Sequence, residues 1–136
     1  MNSRQRHRLV VVLSLVAGGG DLVTGLLLSF APGWTLARMG VPLVSDSVFL
    51  RFVGVFVACV GVSYGCGLLA WWLHGCQRRL RFVWEYTALF RLAAGGFVAT
   101  QILAGHLTWQ WCSVPAVDWT WALVQGLGLQ RGLFRE

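Results

Sequence analysis

The chain has 136 residues, 57% of them hydrophobic and only 12% charged, with a mean hydropathy of +0.66. A soluble domain carries about 25% charged residues, so soluble enzymes, nucleic-acid modules and disordered regulators, each of which needs a polar surface, are poor candidates. A single membrane-embedded domain remains. The formal charge of +6 rests on 11 basic residues, all of them arginine, and their positions decide what that charge means.

The first apolar run covers residues 9–30 and is interrupted by one acid, Asp21. Arg4, Arg6 and Arg8 precede it as the basic region of a signal peptide would. Cleavage after Ala17 would put Leu15, which is not small, at the −3 position. The segment is therefore expected to stay as a span. Pro32 and Gly33 end it, since neither extends a helix comfortably. Residues 34–39 suit a short interfacial turn before Gly40 and Pro42.

Ser45, Asp46 and Ser47 supply helix-start chemistry for a second run, 48–73, with Arg51 near its beginning. The third run, 82–108, carries Glu85 and Arg91. Ser113 and Pro115 open a fourth, 115–130, containing Asp118 and Gln125. At about 1.5 Å per residue, the first three are long enough for a hydrocarbon core of roughly 30 Å. The fourth gains length by continuing toward Phe134 with Arg131 snorkelling, the alternative being a re-entrant segment. The expected fold is all-α: a polytopic membrane protein with four transmembrane helices in an antiparallel bundle.

The arginines orient it. Arg4, Arg6 and Arg8, then Arg78, Arg79 and Arg81, then Arg131 and Arg135 fall on one side of a four-span chain. The opposite side has Arg38 in its loop, with Arg51 just inside the following span. By the positive-inside rule both termini are cytoplasmic, in the inner membrane of a bacterium. Trp34, Trp109, Trp111, Trp119 and Trp121 mark the outer interface, and Trp71, Trp72 and Trp84 the inner one. The positive charge is a topology signal, and nucleic acid is not an expected partner.

Stepping by three and four along each run places small and polar residues on one face. These stripes are Ser14, Gly18, Asp21, Gly25 and Ser29; Arg51, Gly54, Ala58, Gly61 and Gly65; Ala88, Arg91, Ala94, Val98, Gln101 and Gly105; and Asp118, Ala122 and Gln125. In a bilayer such faces pack helix on helix, because small residues allow close approach and polar groups avoid lipid. The three glycines at 18–20 could let the first helix bend, or let a neighbour come close.

Among these, Asp21, Arg51 and Arg91 carry charge into the membrane, where an ion is costly and usually paired. Depth along adjacent antiparallel helices favours Asp21 with Arg51, fixing the register of the first two spans. Arg91 lies near mid-membrane, level with Tyr64 and not far from Gln125, with Asp21 as a competing acceptor. Glu85, nearly opposite Arg91 on its helix, answers Arg81 instead. An Arg91 without a certain anionic partner points to a lipid phosphate, a quinone carbonyl or a carboxylate. Gln101 belongs to the same intramembrane polar set, and His106 and Asp118 form a pair at the outer interface.

His74 and His106 sit at opposite surfaces, so haem held by two histidines within the chain is not expected. No cluster has metal-site spacing, and neither a hydrolase triad nor a phosphate loop is present. Cys59, Cys66, Cys76 and Cys112 form no CxxC pair. Cys59 and Cys66 are too far apart on a helix for a disulfide and read as small buried hydrophobes.

The pattern Arg51-x-x-Gly54-x6-Gly61-x-x-Tyr64, following a first span that ends at Pro32, resembles small four-helix membrane families of the DoxX-like type. That resemblance implies a four-helix bundle associated with oxidoreductase or respiratory partners, and no catalytic residue. Asp21 followed by Thr24, Gly25 and Leu27 is similar to the first helix of the small multidrug resistance transporters, which carry Glu where this chain has Asp. The leading expectation is a noncatalytic accessory or scaffold subunit of a larger respiratory, redox or photosynthetic membrane complex. It would pack against other membrane subunits or itself and hold no cofactor of its own beyond a lipid, a quinone or a chlorin contacted from a neighbour. The rival is a small proton-coupled transporter using Asp21.

Overall fold

The computed structural model describes residues 2–42 and 47–134. These hold five α-helices and no strand: α1 (Ser3–Phe30), α2 (Pro32–Arg38), α3 (Val48–His74), α4 (Arg78–Leu103) and α5 (Ser113–Gln130), with a single 3-10 turn at Trp109–Cys112 ahead of α5. By length and composition α1 and α3 can each cross a membrane. Arg78, Arg79, Arg81, Glu85 and Arg91 make α4 more polar, and α5 has only 18 residues.

Helix ends follow local chemistry. Gln5 accepts a hydrogen bond from the Asn2 backbone N–H and starts α1 a turn and a half before its apolar run. Of the residues expected to start α3, Ser45 and Asp46 lie outside the described residues, as does Arg135. Ser47 occupies the N-cap but makes no capping bond with its side chain. The third apolar run was expected to be helical to residue 108, yet α4 stops at Leu103. Gly105 takes a left-handed conformation (φ +75°), and the His106 and Leu107 N–H groups turn back onto the Gln101 carbonyl. The chain leaves the helix there because only glycine adopts that conformation freely.

Two antiparallel pairs make up the body. In the first, α1 lies directly on α3 through glycine. A Cβ at Gly61 would stand 2.5 Å from the Leu22 nitrogen and one at Gly18 would stand 2.6 Å from Tyr64 Cβ, while one at Gly25 would run into the Ala58 backbone. The second pair, α4 and α5, seats large rings on glycine: Trp119 over Gly95 and Trp84 over Gly128. Gly67 admits Leu80 and brings α3 to α4. Val10, Ala17, Tyr64, Leu80, Trp84 and Leu133 form the core between the pairs.

Several expectations about faces need correction. Gly65, Arg51 and Gly105 were placed on packing stripes but are exposed, because the α1–α3 contact follows Gly54, Ala58 and Gly61 and leaves open space at Gly65. Within the glycine triplet only Gly18 is in contact; Gly19 and Gly20 face outward and α1 continues unbroken. Cys59 and Cys66 are exposed rather than buried. Trp84, expected in an interfacial belt, is buried, with its Nε1–H donating to Ser14 Oγ at 2.9 Å.

Large apolar side chains cover much of the surface, while several polar groups are enclosed with the apolar core. Phe49 is 75% and Trp72 81% exposed, in company with Val12, Leu15, Phe52, Leu89 and Leu103. Arg91 is 4% and Gln125 1% exposed, and Ser14 and Thr87 are buried beside them. A monomeric soluble protein rarely shows contiguous apolar patches above a few hundred Å².

Candidate functional site

The polar residues that the helices turn inward form two connected groups between the helix pairs. In the first, Arg91 of α4 reaches across to α1 and sideways to α5. Its Nη2 donates to Asp21 Oδ2 at 2.5 Å and its Nη1 to Asp118 Oδ1 at 3.0 Å. The guanidinium fork can engage two carboxylates at once, which a lysine could not do with the same geometry. Asp21 and Asp118 keep 16% and 18% of their side-chain surface, so the cluster is recessed but not sealed.

One helical turn from Arg91, Thr87 anchors the second group. Its hydroxyl bonds the Val83 carbonyl at 2.6 Å and meets Tyr64 Oη at 2.7 Å. Gln125 Nε2 donates to Thr87 Oγ1 at 2.9 Å and also to Tyr64 Oη. This ties α3, α4 and α5 together at one level. Gln125 Oε1 and Arg91 Nε are buried with no hydrogen-bond partner among the described residues.

The expected pairings change accordingly. Asp21 binds Arg91 and not Arg51, whose Nη1 donates instead to the Ser29 carbonyl at 2.8 Å. That carbonyl is among the last of α1, where no further helical N–H is available to satisfy it, and it lies about 12 Å along the helix from Asp21. His106 does not pair with Asp118: its Nδ1 contacts Gln101 Oε1 at 3.0 Å, which also removes Gln101 from the buried polar set. Arg81 does bind Glu85, at 2.8 Å. Tyr64 shares the level of Arg91, but its hydrogen bonds go to Thr87 and Gln125.

Thr87, Ser14 as the partner of Trp84, and Asp118 as a partner of Arg91 were missed. The available signal was spacing: Thr87 lies one turn before Arg91, and Asp118 and Gln125 lie seven apart on one face of α5. Among the described residues no group of three or more histidines, cysteines and acids could hold a metal ion.

The class these features define is a small all-α protein with two helices able to cross a membrane and a buried arginine between two carboxylates. No protein-family model, curated protein or solved structure matches the chain.

Proposed function

We propose that the chain is a noncatalytic integral membrane protein whose four long helices all cross the bilayer, with both termini cytoplasmic, and that it serves as an accessory or scaffold subunit of a larger membrane complex. The observation that carries this reading is the apolar exterior: rings and aliphatic chains face out along α1, α3, α4 and α5, while Ser14, Thr87, Arg91 and Gln125 face in. In hydrocarbon that arrangement keeps these side chains away from lipid and bonded to one another or to neighbouring helices. The buried arginine then acts as a brace for three helices.

The native cysteines test the topology. Cys76 lies in the turn before α4 and Cys112 immediately before α5, at opposite ends of the bundle. In intact cells a membrane-impermeant maleimide should label Cys112 and spare Cys76 until the membrane is opened. The reverse pattern, or labelling of both, would refute the orientation. Purification in mild detergent tests the subunit role, since a lone monodisperse monomer would count against it.

A second reading, a proton-coupled transporter, is favoured by the surplus of acid. Two carboxylates share one guanidinium, leaving one formal negative charge that a proton or a cation can neutralise. It requires Asp21→Asn to abolish transport while expression and folding persist.

A further inference from the structure

Away from the charge cluster, a groove of about 640 Å³ runs between α3 and α4, lined by Cys59, Val62, Cys66, Phe82, Arg78 and Arg79 among others. It arises because α3 and α4 meet where Gly67 admits Leu80, while the small side chains of Cys59, Ser63 and Cys66 leave a trough facing Phe82 and Val83. Cys59 to Gly67 spans about 12 Å of helix rise. The floor and walls are almost wholly apolar, and the two cations stand at one end only.

Arg78 and Arg79 are exposed, and neither has an ion pair among the described residues. They also open α4, whose early N–H groups face the same end. The Gln77 side chain provides no cap because it is turned to His7, at 3.0 Å. The groove therefore joins a slot for hydrocarbon to a cationic rim at the end of the bundle that carries the Gly75 turn. Basic pockets between helices at a membrane surface suit anionic lipid head groups.

We propose that this groove is a binding site for one anionic phospholipid, its phosphate held by Arg78 and Arg79 and an acyl chain lying along Cys66, Val62 and Cys59 against Phe82. The proposal rests on the membrane reading above and adds the ligand class and the residues. It also separates ligand binding from Arg91, whose guanidinium already holds two carboxylates.

The test is native mass spectrometry of the full chain in mild detergent, with phosphatidylglycerol and phosphatidylcholine as competing probes, beside carbonate washing of the membranes from which it comes. Phosphatidylglycerol should be retained at least tenfold more strongly than phosphatidylcholine. The variant Arg78→Gln with Arg79→Gln should lose that preference. Val62→Trp, which fills the slot and leaves both arginines, should lose the bound lipid as well. All three substitutions lie on exposed positions, and an unchanged elution volume checks that the fold survives. Equal retention of the two lipids, or a wild-type preference in either variant, overturns the site while leaving the membrane reading intact. A chain released by carbonate overturns both.

Discussion

The contact between α1 and α3 and the contact between that pair and α4–α5 solve the same packing problem with opposite chemistry. The first is a glycine seam in which backbones touch: Gly18, Gly25, Gly54 and Gly61 leave no room for a Cβ. The second touches closely where Gly67 admits Leu80 and otherwise fills the space with Trp84, Tyr64, Arg91 and Gln125, whose polar atoms bond Ser14, Thr87 and Asp21. The glycine seam sets the distance, and Arg51 on the Ser29 carbonyl sets its level at one end. Directional hydrogen bonds at Ser14–Trp84, Tyr64–Thr87 and Asp21–Arg91 fix the level at which one pair meets the other. In lipid, where apolar association adds little, close packing and polar bonds are the remaining sources of helix association.

Substitutions on the two seams should behave differently. Arg91→Leu strands two recessed carboxylates and should cost about 3–5 kcal/mol, read as a loss of unfolding free energy in detergent; an effect below 1 kcal/mol would show that the brace carries little. Gly25→Ala and Gly61→Ala push a Cβ into backbone and should each cost roughly 1–3 kcal/mol. Gly65→Ala, on the same helix but facing open space, should be neutral or stabilising by up to about 1 kcal/mol, so equal effects at Gly61 and Gly65 would refute the seam. Tyr64→Phe removes one acceptor from Gln125 while Thr87 remains, for about 0.5–1.5 kcal/mol. Smallest of all, Arg81→Ala breaks an exposed pair with Glu85 and should change stability by about 0.3–0.5 kcal/mol.

The elements and the inward faces were legible in the sequence because both depend on local periodicity. Ser14, Gly18, Gly25, Gly54, Gly61, Arg91, Ala122 and Gln125 all fall on the predicted stripes and are buried. Partners were harder to read, because depth along a helix does not say which helices lie face to face. Asp21 was matched to Arg51 on the neighbouring helix, whereas Arg51 meets α1 at the Ser29 carbonyl, about 12 Å along the helix from Asp21. The long Arg91 side chain of α4 reaches Asp21 instead. Arg51 found an acceptor that no side-chain inventory includes, a backbone carbonyl at the end of α1. His106 went to Gln101 because Gly105 folds the chain back instead of extending the helix toward Asp118.

The position of α5 in this arrangement has a consequence for biogenesis. It enters the chain after α1, α3 and α4, and it brings both the second carboxylate for Arg91 and the amide that spans Tyr64 and Thr87. Beyond it, the turn at Gly132 returns Leu133 and Phe134 to Trp84, with the Phe134 ring edge-on at 5.2 Å. Until α5 is in place, the other three helices carry an arginine with one counter-ion and a tryptophan with a bare face. In the membrane setting proposed above, a chain lacking α5 would carry those groups as an unsatisfied defect between its helices.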